Sequence, residues 1–145
     1  FMITIKKNAF VFHSREKMFN LVDHVEDYPN FLPWCGEAEV IVRTEKITEA
    51  KILINYHSVK QSFTTRNTKT FPSKMNINLI KGPFKTLKGT WSFVEIERDS
   101  CKIEFELQYE FSNYILDKLI SPVFNIIANT FIDNFIAKAN KDKNV

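Results

Sequence analysis

The stretch that decides the fold is YILDKLISPVFNIIANTFIDNFIAKAN, residues 114–140. Its apolar residues recur at i, i+1, i+4 and i+5 for about seven turns, which is the rhythm of a helix with 3.6 residues per turn. The opposite face carries polar side chains such as Asp117, Asn125 and Asp133. A helix with so long an apolar stripe needs a large apolar partner surface. We expect Pro122 to kink or restart the helix, with Ser121 as a local cap.

Alternating segments upstream of this helix supply such a surface. In residues 101–111, apolar side chains at the odd positions alternate with polar side chains at the even positions, which predicts a strand with one buried face. Segment 87–97 alternates in the same way. Four more strands, in two hairpins, are predicted at 37–46, 49–57, 59–70 and 73–81. These strands predict an antiparallel sheet with one buried face and one solvent-exposed face.

The N-terminal part adds a strand and two helices. Residues 2–11 predict the first strand, and Ser14 is a suitable N-cap for a helix of roughly ten residues. A second, short helix starts at 27–29 and ends at 32–33. The order is β-α-α-β6-α, an α+β fold in which a curved antiparallel sheet of about seven strands wraps around the C-terminal helix. We expect a single domain over 2–141 and a frayed tail over 142–145.

The composition is that of a globular domain large enough to bury a core. Hydrophobic residues make up 44% of the 145 residues and charged residues 26%. The fourteen phenylalanines predict an aromatic interior, which is either a solid core or the wall of an apolar cavity. A net charge of +3 permits contact with nucleic acid or anionic lipid without arguing for either.

The sequence shows neither a signal peptide nor a run of ~18 apolar residues, so we expect a cytoplasmic protein. A peripheral contact at the inner face of the membrane is the alternative. Nothing indicates secretion, and the two cysteines are therefore expected to be free thiols rather than a disulfide.

No catalytic or metal site is predicted. The three histidines are not spaced as a metal set, and the nucleotide-binding and nucleophile-elbow motifs are absent from the sequence. The acidic cluster Asp23, Glu26 and Asp27 is interpreted as helix capping and solvated charge. Cys35 is either structural or a nucleophile, and the structural role is favoured.

Two stretches are candidate sites. The aromatic run 28–35 is either a lid on the gap between sheet and helix or the mouth of an apolar cavity. The stretch 81–91 contains a Gly-Pro turn followed by Phe84, which either faces solvent between two lysines or tucks under the helix. Five basic residues form either a solvated face or a shallow basic patch on the outside of the sheet: Lys60, Arg66, Lys69, Lys85 and Lys88.

These stretches resemble a known family. Residues 25–35, 63–67 and 82–91, with 101–105 leading into the long helix, are similar in sequence and order to the Coq-type polyketide cyclase/START-like family. The family includes RatA-type bacterial ribosome association toxins and mitochondrial coenzyme Q-binding proteins. The resemblance implies a helix-grip (START/Bet v 1-like) fold and no catalytic residues. Segment 31–35 resembles the coenzyme Q-binding branch, whereas 63–67 and 82–91 resemble the toxin branch.

Three functions are compatible with this resemblance. The first is non-enzymatic binding of a polyprenyl quinone such as ubiquinone, or another isoprenoid lipid, as a carrier or chaperone in respiration. Its predicted ligand wall is Tyr28, Phe31, Leu32, Trp34, Phe84, Leu87, Trp91, Phe124, Ile127 and Phe131, with Tyr28 as a source of a hydroxyl. The second is ribosome binding that blocks subunit association. In it Arg66, Lys85 and Lys88 contact RNA phosphates, or alternatively a membrane, and Phe84 stacks. A polyketide cyclase or dehydratase ranks last, because the predicted inward faces are nearly all apolar.

Overall fold

The computed structural model describes residues 2–142, and seven strands run through that part of the chain. They are β1 (Ile3–Val11), β2 (Cys35–Arg43), β3 (Ile47–Tyr56), β4 (Val59–Thr70), β5 (Lys74–Lys81), β6 (Phe84–Glu97) and β7 (Ser100–Phe111). The strands form one antiparallel sheet in the order β1-β7-β6-β5-β4-β3-β2. Strand β1 pairs with β7, with Ile3 opposite Tyr109 and Val11 opposite Cys101. The predicted helix-grip fold and its element order are confirmed.

The alternation in β7 determines which face of the sheet is buried. Every odd position from Cys101 to Phe111 is buried, whereas the even positions are exposed or half-buried. The predicted hairpin between β6 and β7 is confirmed, and β6 begins at Phe84, three residues before the predicted start at 87. A bulge between Phe84 and Thr86 shifts the register there, so strict alternation from 87 onward could not reveal the earlier start.

Two short helices connect β1 to β2. Helix α1 spans Arg15–Asp23, and the Ser14 hydroxyl caps it by accepting a 3.1 Å hydrogen bond from the backbone N–H of Lys17. A 3₁₀ helix follows over Val25–Asn30, two residues earlier than predicted. It contains Pro29 and the buried Tyr28.

Helix α2 spans Tyr114–Asp142 without interruption, so the predicted restart at Pro122 is wrong. Proline removes one backbone hydrogen bond, and the continuous apolar contacts on either side hold the helix together. Its apolar stripe is buried from Ile120 to Ala139. In the first turns, however, Ile115 remains 69% exposed and Leu119 64% exposed. The helix is long and apolar enough to cross a membrane by length and composition alone, and here its buried face packs into the concave sheet.

The end of α2 is fixed to the start of α1. The Nε2 atom of His13 lies 2.8 Å from Oδ1 of Asn140, and Lys17 Nζ donates to the carbonyl of Ala139 at 3.0 Å. Asp142 is still helical, so fraying does not begin at that residue. The rest of the predicted tail, 143–145, lies outside the described residues.

Candidate functional site: the cavity between sheet and helix

A cavity of about 100 Å³ lies between the concave face of the sheet and α2. Its wall is formed by side chains from β3 to β7, from α2 and from the segment around the 3₁₀ helix. Seven of the ten residues predicted as a ligand wall line it: Tyr28, Trp34, Leu87, Trp91, Phe124, Ile127 and Phe131. These are seven of the seventeen residues that line the cavity, and the sequence could not show that a cavity exists.

Secondary-structure periodicity explains why these side chains converge. Leu87 and Trp91 are both inward-facing positions of β6, where side chains alternate between the two faces of the sheet. Phe124, Ile127 and Phe131 are spaced i, i+3 and i+7 along α2, which places them on one helical face. The sheet and the helix therefore present two apolar surfaces that face each other across the cavity.

Three aromatic rings of the wall are in mutual contact. The ring centroid of Trp91 lies 4.7 Å from that of Phe105 and 5.4 Å from that of Phe131. Phe105 and Phe131 meet edge to face at 4.7 Å. Such edge-to-face pairs are worth roughly 0.5–1.5 kcal/mol each beyond the burial of their area. The cluster lines one part of the cavity with aromatic rings that stand nearly perpendicular or tilted to one another.

Phe31 and Leu32, two of the other predicted wall residues, lie outside the cavity lining. Phe31 is half-buried and packs edge to face on Phe135 at 5.3 Å and on Tyr28 at 6.0 Å. Leu32 is 1% exposed within the core. The segment from Tyr28 to Trp34 therefore covers one side of the cavity with its middle residues, while its two ends contribute to the wall.

Phe84 also lies away from the cavity lining. It is 5% exposed, stacks on Phe111 at 5.0 Å and contacts Phe124 at 5.2 Å. The interpretation in which Phe84 tucks under the helix is correct, and the solvent-facing one is wrong. The early start of β6 explains this, because Phe84 already belongs to a strand rather than to an exposed turn. Its ring is not available for stacking on a base.

The hydroxyl of Tyr28 is hydrogen-bonded within the protein. It donates a hydrogen bond to the backbone carbonyl of Val22, one of the last carbonyls of α1. Burial raises the pKa of Tyr28 far above its ordinary value, so the phenol stays protonated. We predicted that this hydroxyl is offered to a ligand, and the structure instead places it as a cap on α1.

Two other polar atoms in the wall are buried and have no hydrogen-bond partner in the described part of the chain. They are Nε1 of Trp34 and Oδ1 of Asn67. The Nδ2 atom of Asn67 lies 3.9 Å from Sδ of Met75, so the amide nitrogen has a weak contact while the amide oxygen has none. Buried polar groups are nearly always paired in native proteins, so these two atoms require an explanation.

Sequence reasoning missed Asn67 and its neighbour Thr65 as cavity residues. Both belong to the stretch 63–67, in which only Arg66 was assigned a role. The signal was available in the alternation of β4, since Thr65, Asn67 and Lys69 occupy successive inward positions. Their polar character concealed it, because an apolar inward face was expected.

Lys69 and Asp23 form a buried ion pair near one end of this concave face. Lys69 Nζ lies 2.9 Å from Oδ2 of Asp23, and Oδ1 of the same carboxylate accepts a 2.7 Å hydrogen bond from the Thr48 hydroxyl. The side chain of Lys69 is only 5% exposed. Lys69 therefore does not belong to an outer basic patch. The interpretation of Asp23 as a solvated charge is also wrong, because its carboxylate is buried in this ion pair. The chain buries both because each satisfies the other.

Arg43 extends this pair toward the surface. Its guanidinium binds Glu26 through two hydrogen bonds of 2.6 and 2.8 Å, and Nη2 also donates to the backbone carbonyl of Asp23 at 2.7 Å. The hydrogen bond from Arg43 holds the pKa of Glu26 below its usual value. None of these charged side chains belongs to the cavity lining.

The basic residues predicted to contact RNA or a membrane all lie on the outside of the fold. Arg66 Nη2 is paired with Glu49 at 2.5 Å, and Lys85 Nζ lies 3.6 Å from Oε2 of Glu110. Lys88 is exposed on β6. The three residues therefore present less net positive charge than their count suggests.

The two cysteines are free and buried. Burial raises the pKa of each thiol to about 11, which keeps both protonated at neutral pH. Cys35 donates a hydrogen bond from its thiol to the carbonyl of Glu37 at 3.4 Å. Such thiols are poor nucleophiles. Within residues 2–142, no three His, Cys, Asp or Glu side chains come together as a metal site.

Comparisons with known proteins agree with this geometry. A family model described as "Polyketide cyclase / dehydrase and lipid transport" matches residues 11–136. The chain is 34% identical over 140 residues to the ribosome association toxin RatA of Escherichia coli K12, covering 97% of this chain and 89% of the relative. It is 23% identical over 139 residues to the mitochondrial coenzyme Q-binding protein of Drosophila melanogaster, covering 93% of this chain and 57% of the relative.

Among solved structures, the Zhui aromatase/cyclase from a Streptomyces species superposes with a TM-score of 0.80 at 9% identity. The match covers 97% of this chain and 95% of that chain. At this identity the likeness shows a common fold and nothing about the reaction.

Proposed function

Since the chain belongs to the polyketide cyclase/dehydrase and lipid transport family, we propose that it binds the ring of a polyprenyl quinone such as ubiquinone. Binding takes place in the cavity between sheet and helix, and the protein serves as a carrier or chaperone for respiratory electron transport. The observation that carries this proposal is the aromatic wall of Trp91, Phe105 and Phe131 together with two unpartnered polar atoms. A flat apolar slot with one or two polar groups is what a quinone ring requires.

The size of the cavity restricts which part of the ligand enters. Pockets for drug-sized ligands measure about 300–1,000 Å³, and an engineered cavity of about 150 Å³ holds a single benzene ring. The present cavity of about 100 Å³ is smaller than that, so at most one ring can enter it, and only when side chains of the wall move. The isoprenoid tail has to leave the cavity, and small side-chain movements have to admit the ring substituents.

The proposal is for binding without catalysis. Within the described residues, the cavity lining holds no histidine, cysteine, lysine, arginine or carboxylate. Its single titratable side chain is Tyr28, whose hydroxyl is bonded to Val22 and whose pKa is raised. General acid–base catalysis needs a group that can exchange protons near neutral pH, and this wall does not supply one.

The test is organic extraction of purified protein, followed by mass spectrometry, after expression in a bacterium that makes ubiquinone. Ala128 lines the cavity and is 1% exposed, so Ala128→Leu fills it. Ala137 is exposed on the same helix, and Ala137→Leu is the matched control. We expect quinone to co-purify with the wild type and the control but not with Ala128→Leu. A folded wild-type protein that carries no isoprenoid lipid contradicts the proposal.

Ribosome binding is the second candidate function. It is favoured by the 34% identity, over almost the whole chain, to a relative named as a ribosome association toxin. Phosphate contact on the outer face would involve Lys88, which is exposed. Arg66 and Lys85 are each paired with a glutamate, so we expect them to contribute only weakly to the electrostatic attraction of RNA.

Sucrose-gradient profiles of bacterial ribosomes with added protein test this second function. A shift from joined to free subunits that weakens in high salt and with Lys88→Glu supports it. Lys141→Glu, at the exposed end of α2, controls for the change in net charge. Unchanged profiles at low salt contradict it.

A further inference from the structure

The two unpartnered polar atoms of the cavity have opposite hydrogen-bonding roles. Trp34 and Asn67 are 7% and 8% exposed, and both line the cavity. The indole Nε1–H can only donate, whereas the amide Oδ1 can only accept. The contact of Asn67 Nδ2 with Met75 Sδ at 3.9 Å favours this orientation of the amide. A complementary ligand therefore offers one acceptor and one donor.

The oxidised and reduced forms of a quinone differ in this respect. A benzoquinone ring carries carbonyl oxygens, which accept hydrogen bonds and cannot donate. Its hydroquinone carries two hydroxyls, each of which can donate and accept. The quinone satisfies Trp34 but leaves Asn67 Oδ1 without a donor. The hydroquinone satisfies both atoms.

We propose that the cavity prefers the reduced, dihydroxy form of its quinone to the oxidised form. This inference rests on the proposed quinone-binding function. Both atoms are buried without a partner in the described part of the chain, so a ligand that reaches them gains most when it pairs both. Leaving one buried acceptor unpaired lowers affinity roughly tenfold or more. We therefore expect at least that preference for the hydroquinone.

The test is anaerobic calorimetry with ubiquinone-1, which carries one isoprene unit, and with its hydroquinone. The ring of this probe is fully substituted, so it does not add to cysteine thiols. We expect the reduced probe to bind about tenfold more tightly than the oxidised probe. An independent readout is the midpoint potential of the bound probe, which a tenfold preference raises by about 30 mV for a two-electron couple.

Three variants distinguish the contributions of the two polar atoms to the binding of each form. Asn67→Leu removes the acceptor and is expected to abolish the preference, chiefly by weakening hydroquinone binding. Trp34→Phe removes the donor and is expected to weaken both forms alike, which keeps their ratio. Asn78→Leu changes an exposed position of the neighbouring strand β5 and is the matched control, with the ratio unchanged.

The outcomes distinguish this inference from the function on which it rests. Equal binding of the two forms, or tighter binding of the quinone, overturns the inference and leaves the proposed function standing. Failure of both forms to bind folded wild-type protein overturns both. Loss of the preference in Asn78→Leu overturns the assignment of Asn67 as its source.

Discussion

Asn67 and Lys69 lie two residues apart on β4, and both side chains are buried on the concave face. They differ in whether their polar atoms have partners. Lys69 Nζ lies 2.9 Å from the carboxylate of Asp23, which Thr48 also contacts. Asn67 has an amide oxygen with no partner in residues 2–142. A buried polar group with all its partners is held by the fold, whereas we propose that the one left unpaired in the cavity wall is where the ligand binds.

The difference follows from what lies opposite each side chain. Lys69 reaches the point where the end of α1 meets the β2–β3 hairpin, and Asp23 and Arg43 are both there. Asn67 lies among mainly apolar cavity residues, and within residues 2–142 none of them donates a hydrogen bond to its amide oxygen. Burial alone therefore does not distinguish a polar side chain that has its partners from one that lacks a partner.

The largest expected effect comes from removing one partner of the ion pair. Asp23→Ala leaves the Lys69 ammonium and the Thr48 hydroxyl buried without the carboxylate, and we expect a loss of about 3–5 kcal/mol in the free energy of unfolding. Urea denaturation measures it. The double variant Asp23→Leu with Lys69→Met removes both charges and is expected to recover most of the loss. A loss below ~1 kcal/mol in the single variant would show that the pair is solvated.

A smaller effect is expected from Tyr28→Phe. The variant keeps the ring in the wall but leaves the carbonyl of Val22 without its donor, because Tyr28 caps the end of α1. An unsatisfied buried acceptor costs about 1–3 kcal/mol. Thermal unfolding followed by circular dichroism measures the change. An unaltered melting temperature would show that water replaces the hydroxyl at this carbonyl.

For Asn67→Leu we expect the free energy of unfolding to rise, which is the opposite of the change expected for the two variants above. Replacing an amide whose buried oxygen has no partner by an apolar side chain of similar size is expected to raise the free energy of unfolding by about 1 kcal/mol in ligand-free protein. Lys69→Met, at the next inward position, is expected to lower it. Parallel urea titrations of the two variants compare them directly. If Asn67→Leu also destabilises strongly, the amide has a structural partner.

The smallest effect concerns Glu26, which Arg43 holds at the surface end of the charged group. The folded-state pKa of Glu26 is lowered, chiefly by its hydrogen bond with Arg43. This pair therefore contributes stability above the unfolded pKa of about 4.3 and loses it as the pH falls through the lower folded-state value. Glu26→Gln should cost a few tenths of a kcal/mol at pH 7. The two proteins should converge at acid pH in urea titrations across the range.

Much of the fold could be predicted from periodicity because the main elements are strongly patterned. The alternation in β7 and the helical stripe of α2 each determined a type of element and a buried face. The same patterns placed Leu87, Trp91, Phe124, Ile127 and Phe131 on facing surfaces. Phe84 was ambiguous, because a Gly-Pro turn and a bulge interrupt the alternation at the start of its strand.

The sequence by itself determined the elements, their order and the apolar faces, since these depend on local spacing along one chain. Only the tertiary structure decided that Asp23 meets Lys69 across 46 positions, that Tyr28 caps α1, and that the amide oxygen of Asn67 has no partner within residues 2–142. Pairing between distant polar side chains depends on where the sheet curves and where α1 ends, and no local pattern carries that information. Whether an aromatic interior is filled or leaves a cavity depends likewise on how side chains from separate elements fit together.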